Sequence, residues 1–196
     1  HRLAQDGHFT LSDDSNNIDA RLNICPTIFG EKAVVRLQDN NHAITALKHL
    51  GLDTRSFELL ATSAHQSQGL ILVTGPTGSG KTMTLYSLLA QMKQSNKNIV
   101  TIENPVEVPF EGISQTNTFD AIGFDYQAIL KTLLRQDPDV IMIGEIRDKQ
   151  TANIALRAAQ TGHLVLATLH TNSAAKSINR LMDMGIARYH LASCLS

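Results

Sequence analysis

At 196 residues with 42% apolar side chains, the chain can hold one good-sized domain with a packed core, or one domain and part of another. A formal net charge of −1, with 17 basic and 18 acidic residues spread along the chain, leaves no broad cationic footprint for nucleic acid or anionic lipid, so no nucleic-acid partner is expected. No apolar run approaches the roughly 20 residues that span a bilayer, the opening His1-Arg2-Leu3-Ala4-Gln5-Asp6-Gly7 is no signal peptide, and Cys25 and Cys194 form no C-x-x-C pair, which points to a cytoplasmic protein without a zinc site or disulfide framework.

Residues 1–37 read as short strands. Asp13 to Asn17 has the composition of a turn, residues 18–24 alternate apolar and polar with period two, and residues 33–37 make a further strand. The polar Gln38-Asp39-Asn40-Asn41-His42 then reads as a linker, so a β-rich piece over 1–38 is expected to be joined through 39–42 to a second domain over 43–196. From residue 43 the pattern becomes α/β. Apolar strands are predicted at 70–73, 99–102, 140–143 and 164–167, with helices at 56–67, 81–94, 126–135, 148–159 and 174–184, an alternation that predicts a mostly parallel sheet covered by helices. Asp148 is the expected N-cap of its helix, and Gly162 and Gly185 sit where helices should stop. With no initial Met and an end at 191–196 inside an apparent amphipathic helix, the chain reads as truncated on both sides.

Gly75-Pro76-Thr77-Gly78-Ser79-Gly80-Lys81-Thr82 matches G-x-x-x-x-G-K-[ST] between a buried-type strand and a helix, the setting the motif requires. Its glycines let backbone N–H groups curl inward around phosphate oxygens, Lys81 would reach the β- and γ-phosphates of ATP, and Thr82 would be a Mg²⁺ ligand. Farther on, the apolar 140–143 end in Gly144-Glu145. The usual aspartate position falls on Gly144, so Glu145 is expected to organise the Mg²⁺ shell through a water, against the alternative of a surface glutamate paired with Arg147. Glu103, after another strand, is a candidate general base for the attacking water, in a loop fixed by Pro105 acting on Asn104; Glu107 reads as a solvated acid. His163 and His170 stand at opposite ends of an apolar strand. Their odd spacing of seven faces them to opposite sides, so they should share no metal; His170 is the one placed to meet a γ-phosphate or relay its presence to a neighbouring subunit.

These segments, in this order, resemble the type II secretion and type IV pilus assembly ATPases over nearly the whole chain. Thr101 to Glu107 is similar to that family's Asp box, Asp137-Pro138-Asp139 through Asp148 to its atypical Walker B, and Thr161 to Asn172 to its His box. The resemblance implies a RecA-like P-loop domain preceded by the end of a small β-rich, PAS-like domain. It also implies a hexameric ring with ATP held between the two domains, and inner-membrane platform proteins as partners at the cytoplasmic face. Arg21 and Arg36 match the family positions whose arginines complete the site. Three departures stand out: Asn104 where aspartate is usual, Gln150 where glutamate is common, and Ala4 and His8 around Gln5-Asp6-Gly7. A nucleotide-binding assembly subunit with little turnover and a pilus retraction motor are the alternatives.

Overall fold

The computed structural model describes residues 3–13, 16–39, 44–93 and 96–194. Packing divides the chain into two compact units, residues 1–43 and 44–196.

The first unit is an antiparallel sheet of β1 (Gln5–Asp13), β2 (Asn16–Thr27) and β3 (Gly30–Asp39), in that order. The strands run longer than the alternation of 18–24 and 33–37 predicts, because an antiparallel ribbon open to water accepts polar side chains that break an apolar pattern. Thr27 closes the second hairpin, its hydroxyl donating to the Gly30 carbonyl at 2.8 Å. Gln38 and Asp39, read from composition as the linker, instead complete β3 by pairing with Asp19 and Ile18. The Asp14-Ser15 part of the expected turn and the rest of the linker, Asn40 to His42, lie outside the described residues.

The second unit is a parallel sheet of β4 (Gly69–Thr74), β5 (Ile99–Glu103), β6 (Ser114–Asn117), β7 (Val140–Ile143) and β8 (Leu164–Leu169), in the order β4-β8-β7-β5-β6. Four of these are the predicted strands. The fifth, β6, is a short edge strand of sequence Ser-Gln-Thr-Asn with no apolar residue to announce it. Around the sheet lie α1 (Thr54–Ser63), α2 (Lys81–Met92), α3 (Tyr126–Leu133), α4 (Lys149–Gln160), α5 (Ala174–Asp183) and the short α6 (Arg188–Ala192).

Strand parity distributes the helices. Ile99, Val140, Met142, Leu164 and Leu166 pack with α2 and partly buried residues of α1, in one core. The alternate residues Val100, Ile102, Ile141, Ile143, Val165 and Ala167 pack with α3, α4, α5 and α6 in the other. Buried on both faces, the central strands are the continuous apolar runs expected of a parallel sheet.

Candidate functional site

Because the five strands are parallel, their C-terminal ends share one edge, and strand order decides which loops are neighbours. Along that edge come the loop after β4, then His170 after β8, then Gly144 and Glu145 after β7, then Glu103 ending β5 and Asn117 ending β6. Sequence reasoning found each of the first four groups separately; the strand order arranges them in this row.

The loop after β4 is a cradle built by its glycines. At Gly75 an added Cβ would sit 2.5 Å from Ser79 Oγ and 3.2 Å from Ser79 Cβ, so a side chain there would have to push Ser79 aside. Gly78 and Gly80 hold φ of +78° and +87°, a region costing an L side chain about 1–2 kcal/mol. Pro76 to Gly80 are exposed, and α2 starts at once with Lys81, so its free amide ends open toward the loop. Lys81 is buried, and its Nζ donates to the Pro76 carbonyl at 2.9 Å, which draws the ammonium back across the loop. Thr82 is half-buried in the first turn of α2.

Gly144 is packed tightly. Its N–H donates to Ile102 O at 2.8 Å, and a Cβ there would lie 3.2 Å from both Ile102 O and Tyr126 Oη and 3.4 Å from Glu103 Cα. That crowding is a physical reason for glycine where an aspartate is usual, and it leaves Glu145 as the first acidic side chain past β7. Glu145 pairs with Arg147 through one oxygen, while the other lies 3.5 Å from His170 Nε2. The Arg147 partnership weighed against a metal role is therefore present, together with a second partner from the neighbouring strand. Two other acids of this stretch have structural duties. Asp148 caps α4 by accepting from the N–H groups of Gln150 and Thr151, each at 2.8 Å. Asp139, at the opposite end of β7, accepts the Asn98 N–H at 2.7 Å.

Glu103 is 3% exposed. Its Oε1 accepts from Thr101 Oγ1 at 2.6 Å and Gln115 Nε2 at 3.3 Å, and its Oε2 accepts from Tyr86 Oη at 2.5 Å. Burial pushes its carboxyl above the usual range, aided by the nearby Glu107 charge and opposed by the three donors. Tyr86 is pushed upward as well, by burial first and by the Glu103 charge second. None of these partners was singled out from sequence. Thr101 carried a signal, being two residues before Glu103 and so on the same strand face; Tyr86 and Gln115 arrive by tertiary packing. Asn104 is exposed and its peptide to Pro105 is cis. His163 stands at the far end of β8, with Nδ1 3.1 Å from Ala158 O, apart from His170.

In the first unit, Arg21 on β2 and Arg36 on β3 are direct cross-strand partners, and His8 on β1 is the partner of Arg21.

The family model described as "Type II/IV secretion system protein" matches residues 1–196. The chain is 50% identical over 196 residues to the Protein transport protein HofB homolog of Escherichia coli K12, covering all of this chain and 42% of that protein. It is 47% identical over 196 residues to the Type IV pilus assembly ATPase PilB of Pseudomonas aeruginosa, covering all of this chain and 35% of that protein. Among solved structures, the pilus retraction motor PilT with bound ADP matches at TM-score 0.77 and 36% identity, over 95% of this chain and 53% of that one. The ATPase DotB of Legionella pneumophila matches at TM-score 0.77 and 25% identity, over 97% of this chain and 54% of that one. The chain thus spans less than half the length of these two curated relatives.

Proposed function

Because this chain belongs to the type II/IV secretion system protein family, we propose that it is the nucleotide-binding part of an ATP-hydrolysing motor that drives type II protein secretion or type IV pilus assembly from a hexameric ring. The supporting observation is the row of phosphate loop, His170, Glu145 and Glu103 along one edge of one sheet.

Lys81, Gly75, Pro76, Thr77, Gly78, Ser79, Gly80 and Thr82 form the phosphate cradle. Hydrolysis joins a water oxygen to the γ-phosphorus and releases ADP, so a group must take the water's proton. A base works best with proton affinity raised toward the operating pH, whereas an acid beside a metal must stay charged. Glu103, buried and shifted upward, suits the first task. Glu145, half-open between Arg147 and His170, suits the second. Thr82 and Glu145 offer only oxygen, the donor type of a hard cation. Thr82 and, through a water, Glu145 would hold a Mg²⁺ ion, which would supply charge neutralisation to the phosphates. Arg21 and Arg36 are proposed to complete the site, and His170 to register the γ-phosphate.

No described helix is long and apolar enough to cross a membrane, and inner-membrane platform proteins are the proposed partners at the cytoplasmic face. Single-turnover hydrolysis by the full-length protein tests the reading: phosphate release that requires Mg²⁺ is expected. Tight binding without release would instead mark a nucleotide-binding assembly subunit. The 36% identity to a retraction motor supports a second reading, pilus disassembly. Restoration of pili in an assembly-deficient strain decides for the first.

A further inference from the structure

We propose that Tyr86 is a positioning residue for hydrolysis, its hydroxyl holding the Glu103 carboxylate and thereby tying the phosphate-binding helix α2 to the group that takes the water's proton. The inference rests on the reading of Glu103 as general base.

Sheet parity makes the contact. Ile99, buried in the core shared with α2, shares a strand face with Thr101 and Glu103, so the Glu103 carboxyl meets Tyr86, which is 1% exposed on the same helix that begins with Lys81 and Thr82. A carboxylate oxygen accepts about two hydrogen bonds. Oε1 has both, from Thr101 and Gln115. Oε2 accepts from Tyr86 alone among the described residues, which leaves it one acceptor position, and the Tyr86 bond fixes where that position points. The hydroxyl is itself oriented: Val108 N–H points to Tyr86 Oη at 3.5 Å, so the phenolic proton is turned to Glu103. Gln115 donates to Val108 O at 3.1 Å and accepts from Phe110 N–H at 2.7 Å, which joins the segment after β5 to the same network. Phenylalanine would fill the volume equally well, and a buried phenol demands a partner. The hydroxyl therefore needs an explanation beyond packing, and Glu103 provides it. A shift of α2 when the phosphate loop fills would reach Glu103 through one hydrogen bond.

Among the described residues, the titratable groups acting on Glu103 are Tyr86 on α2 and Glu107 in the following loop, while the Tyr126 hydroxyl on α3 packs against Gly144. Loss of the Tyr86 donor removes support for the ionised carboxylate, so Glu103 holds its proton to higher pH. A base is active only when deprotonated, and the acid limb of the rate profile moves upward.

In the full-length protein, Tyr86→Phe is expected to keep Mg²⁺-ATP affinity, lower kcat at neutral pH about tenfold, the scale of one hydrogen bond to a charged group, and shift the acid limb of kcat to higher pH with recovery on the alkaline side. In a Glu103→Gln background the same change should add less than about twofold to the residual loss. Wild-type kcat and pH profile in Tyr86→Phe would overturn this inference and spare Glu103 as base, as would an equal further loss in the Glu103→Gln background. Wild-type turnover in Glu103→Gln alone overturns both. Should the Phe variant not fold, 3-fluorotyrosine placed at position 86 keeps the shape and makes a stronger donor. The acid limb must then move to lower pH, and an unmoved limb overturns the proposal.

Discussion

Lys81 is the cation at the proposed phosphate loop, drawn across it to the Pro76 carbonyl. Lys81→Ala removes a charge-assisted contact to phosphate, and Mg²⁺-ATP affinity should fall about tenfold to hundredfold, read by calorimetry; equal affinity would remove the loop from the site. Glu145→Gln should bind nucleotide within a few-fold of wild type and hydrolyse it about a hundredfold more slowly, because an amide fills the same space without the charge that organises water. Single-turnover phosphate release measures it, and a wild-type rate would end that assignment. The placement of Lys81, Thr82 and Glu145 was legible because it is written locally, in a loop between a strand and a helix and in an acid just past an apolar run. Tyr86 and Gln115 were not: each becomes relevant only when a helix and an edge strand close over Glu103. The pairing of Arg21 with Arg36 falls between these cases, since it follows by counting outward from the Thr27–Gly30 turn once both strands are known to extend that far.

Elements carry a different kind of constraint. Continuous apolar runs of strand length revealed β4, β5, β7 and β8, whereas β6 is polar and, among the described strands, pairs with β5 alone, so its existence is a consequence of an edge waiting for a partner. Two neighbouring positions in one motif separate element-level from site-level roles. Asp148 serves the first turn of α4, and Asp148→Ala should cost about 1 kcal/mol in chemical denaturation while leaving nucleotide affinity unchanged. Gly144→Ala acts through packing between β7, β5 and α3, where contacts of 3.2 Å leave little room; a loss of about 1–3 kcal/mol is expected, and a variant as stable as wild type would show that Tyr126 yields easily. The interval between Ile143 and Asp148 thus passes from core strand to crowded glycine to charged site to helix cap in a few residues, which is why a motif match alone does not say which of its acids acts.

At the scale of the whole molecule the open term is where the cations that finish the site come from. The sheet edge of the second unit supplies Lys81 and, paired to Glu145, Arg147. The first unit holds Arg21 and Arg36 in facing positions of one ladder. In the proposed mechanism Arg21 and Arg36 complete the site, and in a ring such arginines can come from a neighbouring subunit. Arginines supplied in this way are worth roughly 10³ to 10⁵ in rate in other P-loop systems, larger than any single contact discussed above. Residues 1–196 by themselves, less than half the length of the curated relatives described above, should accordingly bind ATP but hydrolyse it slowly. Specific turnover should climb steeply with concentration, as expected when assembly builds the site. In the full-length protein, Arg21→Ala or Arg36→Ala should lower kcat by at least about a hundredfold with nucleotide affinity nearly unchanged. Steady-state turnover over a dilution series, paired with calorimetry, separates the possibilities: a specific rate equal to that of the full-length ring at every dilution, or arginine variants with normal kcat, would make the second unit a self-sufficient enzyme and assign the facing arginines to something other than the nucleotide.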